Sequence, residues 1–291
     1  MFRYDEAFSR NLGWITAEEQ QALRRIRVAI AGLGGTGGYH LLTLTRLGIG
    51  AFSIADFDVF GLANFNRQAG AMMSTVGHPK LDVLASMARD INPELDLRLF
   101  PTGVSRDNVD SFFDGVDVYV DALDYFAFDA RDVVYRKCAE ARIPAIIAAP
   151  LGMGAALISF LPGGMTFEEY FDLRHAPEGE KALRFLVGLS PALLQRTYLA
   201  DPSRVSFGTR AGPSTPMACM LCAGVAGTEL LKLVLRRGKV YGAPHAIQFD
   251  AFRNRLAKTW RPGGNRNPLQ RLAINLVQRQ LRSRARAGRA E

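Results

Sequence analysis

The chain has 291 residues, 48% of them apolar, with 36 basic and 28 acidic residues for a net charge of +8. That length is long for one domain but within the α/β range, and the apolar supply can bury a large core. No 18-residue apolar segment is expected to cross a membrane, Met1 to Glu6 lacks the basic and apolar regions of a signal peptide, and three scattered cysteines give no disulfide framework, so a cytoplasmic, reducing location is expected.

Residues 1–25 read as one or two helices, with Thr16-Ala-Glu-Glu-Gln as a capping box. A strand over 27–31, a helix over 37–47 and a strand over 50–55 follow, then the segment 56–80. Further expectations are a helix over 80–91, a strand over 96–100, a short helix over 106–113, a strand over 116–121, a helix over 130–141 and a strand over 145–149. This alternation implies an α/β fold: a Rossmann-like, doubly wound, mainly parallel sheet with helices on both faces. Segments 154–161 and 246–252 read as later strands, an antiparallel extension. Between them, 162–216 reads as a helical insert with helices over 166–171, 180–187 and 190–199, the last opened by Ser190-Pro191. Arg174 and His175 in this insert read as surface residues. Pro216 to Lys232 reads as an apolar helix packing on the domain.

The tail beyond residue 260 is different. Residues 261–291 carry eight Arg and one Glu, or +7, which leaves the body nearly neutral. Leu269, Leu272, Ile274, Leu276, Val277 and Leu281 give one helical stripe, followed by an Arg-rich end, Arg282 to Arg289. The first expectation is that this helix docks on its own subunit. The alternative is that it binds an acidic partner, RNA or an anionic membrane surface.

The most informative stretch is Ile30-Ala-Gly-Leu-Gly-Gly-Thr-Gly-Gly38. Gly32, Gly34 and Gly37 have dinucleotide-fold spacing between a buried strand and a helix, with Gly35 inside the turn. Glycine lets the backbone turn sharply and approach a phosphate, and the helix N-terminus supplies free N–H groups. Asp56 closes the second strand, where such folds set a carboxylate against a ribose, and Asp58 follows. The alternative is that the glycines serve tight packing alone. Asn64-Phe-Asn-Arg67-Gln, Lys80 and Asp124 then add polar groups that a nicotinamide enzyme has no reason to place around phosphates. Cleavage of ATP between its α- and β-phosphates does need them, because pyrophosphate leaves with several negative charges.

This set resembles the ThiF/MoeB/HesA superfamily, bacterial relatives of ubiquitin-activating enzymes, over Arg10 to Leu161 and more loosely over Ala218 to Lys232. The resemblance implies a glycine loop at Gly32 to Gly37, a ribose carboxylate at Asp56, phosphate contacts from Asn64, Arg67 and Lys80, and a magnesium ligand at Asp124. It also implies that Arg10, in Ser9-Arg10-Asn11, reaches the ATP of a neighbouring subunit in a homodimer. The expected organisation is a single adenylation domain over 1–260 (nucleotide half 1–161, insert 162–216, closing helix and strand 217–260) and the tail 261–291. The implied activity is ATP-dependent adenylation of a carboxylate, belonging to a peptide, a small protein or a small molecule, with ATP and Mg²⁺ as cofactors. A non-catalytic nucleotide-binding scaffold and an NAD- or FAD-dependent oxidoreductase are the alternatives.

Departures from that family's pattern shape the expectation. Cys219 and Cys222 form one CxxC without a second pair, so no zinc site is expected, and they read as buried apolar residues. Gly163 to Pro216 holds none of the cysteines that thiol-transferring relatives carry there. Leu123-Asp124-Tyr125 stands where the family has Thr-Asp-Asn, and the motif's following arginine is displaced to Arg131. The insert is expected to shape or cover the acceptor site, although its Phe and Leu content equally suits core or dimer interface.

Overall fold

The computed structural model describes residues 1–174, 176–205 and 212–287, with the side chains of 178 and 280–287 outside that description. Three short elements lead in: α1 (Tyr4–Ala7), a single 3₁₀ turn (Ser9–Asn11) and α2 (Ala17–Arg24). The expected capping box opens α2. Thr16 Oγ1 accepts from the Glu19 N–H at 3.1 Å, and Glu19 Oε2 accepts from the Thr16 N–H at 2.8 Å.

Strand β1 (Arg27–Ala31) is buried along its whole length. Successive side chains alternate between faces. Val28 and Ile30 therefore join one core, and Ala29 and Ala31 the other. Such two-sided burial marks a central strand of a parallel sheet. Strands β2 (Ala51–Ala55) and β4 (Val118–Asp121) flank β1, both parallel to it. Strand β3 (Asp96–Phe100) extends the sheet past β2, and β5 (Ala145–Leu151) extends it past β4, again in parallel. Direction then reverses through β6 (Gly154–Phe160), β7 (His245–Asp250) and β8 (Arg255–Trp260), each antiparallel to its neighbour. The full order is β3-β2-β1-β4-β5-β6-β7-β8. One face carries α3 (Gly37–Arg46), α4 (Lys80–Ile91) and α9 (Pro216–Val234). The other carries α5 (Val109–Phe113), α6 (Phe128–Glu140), α7 (Phe167–Phe171) and α8 (Glu178–Leu189). This is the expected Rossmann-like, doubly wound α/β fold. The chain runs outward from β1 through β2 and β3, then returns to β4 on β1's other side. Such a switch leaves a ligand crevice at the C-terminal ends of β1 and β4.

Four local features differ from expectation. Segment 190–199 is not an α-helix. Leu193 adopts a left-handed φ of +48°, which stops helical propagation, and only a 3₁₀ turn forms over Leu194–Thr197. Strand β8 was not anticipated, because its residues are mostly exposed and show no clean apolar alternation. Helix α9 is long and apolar enough to cross a membrane by length and composition, contrary to the expectation that no segment is. It packs within the fold on β5, β6 and α3, with Ala218, Cys222, Ala226 and Leu230 buried. Its buried Glu229 accepts from Ser159 Oγ at 3.0 Å and pairs with Lys232 at 2.7 Å.

The fourth difference is in the tail. Helix α10 (Pro268–Ala287) does dock on the body: Ala273, Ile274 and Val277 pack on Leu183 and Val187 of α8, and Gln270 Nε2 donates to the Val187 carbonyl at 2.6 Å. The expected single stripe splits, however, because Leu269, Leu272 and Leu276 face solvent. The side chains of Leu281 and of the Arg282 to Arg289 end lie outside the described residues, as does His175. Arg174 is exposed and pairs with Asp132 at 3.3 Å, as a surface residue should.

Candidate active site

The glycine loop sits over the crevice and is tied to both neighbouring strands. The Gly32 N–H donates to the Ala55 carbonyl at 2.8 Å, and the Ala122 N–H donates to the Ala31 carbonyl at 3.2 Å. Gly32 has φ +87°, and a Cβ there would lie 2.2 Å from the Ala122 carbonyl oxygen. A Cβ on Gly37 would lie 1.9 Å from the Gly32 carbonyl oxygen. These two glycines serve close backbone packing. Gly34 differs: a Cβ there would meet only Gln68 Nε2, at 3.8 Å. Gly35 faces Cys219 Sγ and the aliphatic part of Arg67, at 3.2 and 3.7 Å from such a Cβ. Helix α3 starts directly after the loop, and Thr36 gives it no side-chain cap. Its first N–H groups are therefore available to an anion.

The segment 56–80 wraps this loop. Asp56 Oδ2 accepts from the Leu33 N–H at 2.6 Å and Oδ1 from the Asp58 N–H at 2.8 Å, so one carboxylate joins the loop to the end of β2. Each oxygen keeps a lone pair for a further donor. Lys80 opens α4, is buried, and pairs with Asp58 at 2.9 Å. Asn64 Oδ1 accepts from the Gly61 N–H at 3.0 Å, which leaves its amide N–H groups to donate elsewhere. Arg67 Nη1 donates to the Ala63 carbonyl at 2.9 Å and to Asn66 Oδ1 at 3.0 Å. It has no carboxylate partner among the described residues.

Asp124 lies two residues beyond Ala122, in the turn after β4, and is exposed. Its Oδ1 accepts from the Phe126 N–H at 3.0 Å, and its Oδ2 has no hydrogen-bond partner among the described residues. Arg131, to which the family motif's following arginine is displaced, faces inward. It is buried beside Asp121, with Nε 2.8 Å from Asp121 Oδ2. Burial opposes its charge, but Asp121 and the neighbouring tyrosines outweigh that and raise its pKa. Arg10 projects to solvent from its 3₁₀ turn, with no hydrogen bond or ion pair among the described residues. The neighbouring Asn11 anchors that turn, donating to Gln20 Oε1 at 3.0 Å and to the Leu47 carbonyl at 3.2 Å. Of the anticipated residues, the four glycines, Asp56, Asp58, Asn64, Arg67, Lys80 and Asp124 lie on the loop, the 56–80 segment and the turn after β4, which follow the C-terminal ends of β1, β2 and β4, whereas Arg10 lies on a separate turn.

Two residues at this crevice were not anticipated there. Gln68 is buried against Gly34, and its Oε1 has no hydrogen-bond partner among the described residues. Its position beside Arg67 was the only signal available. Cys219 reaches the loop because α9 begins close to Gly35. Its thiol is pushed up by burial, although Ser214 and Arg67 act in the opposite direction. Cys222, a turn further on, is buried and also pushed up by burial. Both thiols are free and inaccessible, as buried apolar residues are. Among the described residues, no cluster of three or more His, Cys, Asp or Glu could hold a metal ion.

Comparison with known proteins gives one family. A ThiF family model matches residues 8–272. The chain is 35% identical over 150 residues to the tRNA threonylcarbamoyladenosine dehydratase of Bacillus subtilis (strain 168), covering 51% of this chain and 57% of that protein. The chain thus spans about half the length of that curated relative. Among solved structures, E. coli MccB with ATP superposes with a TM-score of 0.64 at 18% identity, covering 87% of this chain and 70% of that one. The E. coli tRNA N6-threonylcarbamoyladenosine dehydratase TcdA in complex with AMP superposes with a TM-score of 0.59 at 20% identity, covering 80% and 95%. At those identities the superpositions show a shared fold.

Proposed function

The chain belongs to the ThiF family, and on that premise we propose that it is an ATP-dependent adenylyltransferase that activates a carboxylate. One observation carries the reading: a glycine loop left open above Gly34 shares its crevice with Arg67, Lys80 and the exposed carboxylate of Asp124. Relatives of the same fold are described with ATP or AMP bound, which supports ATP as the nucleotide. The carboxylate is that of a peptide or small-protein C-terminus, or of a small-molecule acid.

In this reading Asp56 receives the ribose hydroxyls, and Asn64 donates to the α-phosphate. A substrate carboxylate oxygen bonds to the α-phosphorus as the bond to the bridging oxygen breaks, and pyrophosphate leaves. Arg67 and Lys80 neutralise the charge that builds on the leaving group. Lys80 is held ready by Asp58 and exchanges part of that contact for phosphate. No side-chain nucleophile is needed, since positioning and electrostatic stabilisation supply the rate.

The donor set at Asp124 also suits Mg²⁺, which binds through one or two carboxylates plus substrate phosphates rather than in an all-protein cage. When bound, Mg²⁺ would neutralise phosphate charge, with Asp124 as its protein ligand. A homodimer fits the surface. Phe57, Leu62 and Met73 in the 56–80 segment are exposed, as is Trp14 beyond the Arg10 turn. Exposed apolar groups of this size mark interaction sites. A second copy would cover them and bring its Arg10 to the neighbouring crevice. The three free thiols suit a cytoplasmic site of action.

The test is the identity of the products. ATP incubated with the protein and an ¹⁸O-carboxylate pool of peptides and small acids should give AMP and pyrophosphate, with one ¹⁸O in the AMP once the adenylate is attacked at carbon. ADP and phosphate as products, or AMP without label, would overturn the proposal.

A further inference from the structure

The Thr-Asp-Asn to Leu-Asp-Tyr departure and the helical insert meet at one place. We infer that Arg131 is a positioning residue for Asp124, and that α8 of the insert braces it through Phe185 and Tyr125. The inference rests on the adenylation reading only for what Asp124 does.

Three donors of one guanidinium converge on the Asp124 turn. Nε donates to Asp121 Oδ2 at 2.8 Å, Nη2 to the Leu123 carbonyl at 2.9 Å and Nη1 to the Tyr125 carbonyl at 3.3 Å. The carbonyls immediately before and after Asp124 are thus held by the same rigid, planar group. Asp121 is itself fixed. Its Oδ1 accepts from the Leu123 N–H at 3.0 Å and from the Tyr119 hydroxyl at 3.2 Å, and its Oδ2 accepts from the Tyr135 hydroxyl at 3.2 Å. The Asp124 carboxylate stays exposed while the backbone on both sides is clamped from below.

Helix α8 closes the clamp from the other side. The Phe185 ring lies 4.6 Å from the Arg131 guanidinium carbon. The Tyr125 hydroxyl donates to the Ala182 carbonyl at 2.5 Å, and its ring centroid is 5.3 Å from that of Phe185. Tyr125 stands where the family pattern has Asn. A side chain of that size reaches the insert; an asparagine at the same backbone position is too short to do so. Whatever docks on the insert therefore presses on the element that presents the carboxylate. Lysine cannot replace Arg131 in this role, because a single ammonium lacks the planar fork that joins two carbonyls and a carboxylate at once.

The experiment measures metal binding directly. Mn²⁺ is titrated into the full-length protein with a non-cleavable α,β-methylene ATP and followed by electron paramagnetic resonance, with AMP affinity measured calorimetrically without metal. Arg131→Lys should weaken Mn²⁺ binding about tenfold, the scale of losing a partner that orients a metal ligand. Tyr125→Phe, which removes only the tether to α8, should weaken it by roughly threefold, as expected for one hydrogen bond. AMP affinity should not move in either variant. Unchanged Mn²⁺ affinity in folded Arg131→Lys would overturn the inference, as would AMP and Mn²⁺ affinities falling together. If Arg131→Lys does not fold, Phe185→Leu leaves the Asp121–Arg131 pair in place and must shift Mn²⁺ affinity in the same direction. This readout needs no turnover: failure of the adenylation reading appears as absent chemistry with the Mn²⁺ shifts intact, and failure of the positioning role appears as wild-type Mn²⁺ affinity in the variants.

Discussion

Lys80 shows how a single side chain can serve the fold and the chemistry together. Its ammonium is buried and carries one ion pair, to the more exposed Asp58. A buried cation with an exposed partner can donate to a phosphate oxygen without leaving its place. Lys80→Met should therefore lower the turnover rate by roughly 10²-fold, the scale of losing one charge-stabilising donor, with the protein still folded. Steady-state rates at saturating ATP, with circular dichroism as the folding check, measure this. His40 of α3 has a different role. It is completely buried, neither ring nitrogen has a hydrogen-bond partner among the described residues, and burial pushes its pKa down to about 4. The unfolded chain binds a proton near pH 6.5, so between pH 6.5 and 4 only the unfolded state is protonated at this site. Stability from this residue is complete above pH 6.5 and is lost as pH falls towards 4. That loss should be about 2–3 kcal/mol at pH 4.5 relative to pH 7. Urea unfolding of wild type and His40→Leu at the two pH values isolates it, and an equal pH dependence in both proteins would rule it out.

At the scale of elements, periodicity and caps made the nucleotide half legible. Strand β1 alternates between two cores, Thr16 and Glu19 close a capping box, and β2 ends at an acid where the loop needs one. The four glycines read as one motif but divide in space, with Gly32 and Gly37 committed to backbone packing and Gly34 facing open ground. That division depends on Ala122 and Gln68, which are distant in sequence from the loop. Strand β8 was not legible because an edge strand with exposed faces carries no alternation, and segment 190–199 failed because no residue pattern announces a left-handed Leu193. The partner of Arg131 was not legible for a related reason: spacing along the chain does not show that its guanidinium closes on the buried Asp121. Helix α9 gives a prediction at this scale. Cys219 and Cys222 lie on its buried side, with both thiols pushed up by burial, so neither is a ready nucleophile. The Cys219→Ala/Cys222→Ala protein should form the adenylate at the wild-type rate and trap no thioester. A thioester recovered on either sulfur by mass spectrometry would contradict the packing role.

At the scale of the molecule, a doubly wound sheet switches direction between β1 and β4, and the proposed nucleotide site lies at that switch. Arg10 belongs to a separate, well-anchored turn. The proposed two-fold homodimer would resolve this, because each site would then take Arg10 from its partner. Mixing Arg10→Ala chains with Asp124→Asn chains under subunit exchange should restore activity, since each mixed dimer holds one site with both defects and one with neither. No recovery despite demonstrated mixing would assign Arg10 to its own chain or to no role. The most direct test is ATP–pyrophosphate exchange with a pool of carboxylate substrates, comparing wild type with Asp124→Asn. Wild type should exchange label, and the variant should fold and bind AMP normally yet exchange at least about 10²-fold more slowly. Exchange at the same rate in both proteins, or none in a wild type that binds ATP and the carboxylate, would contradict adenylation at this crevice.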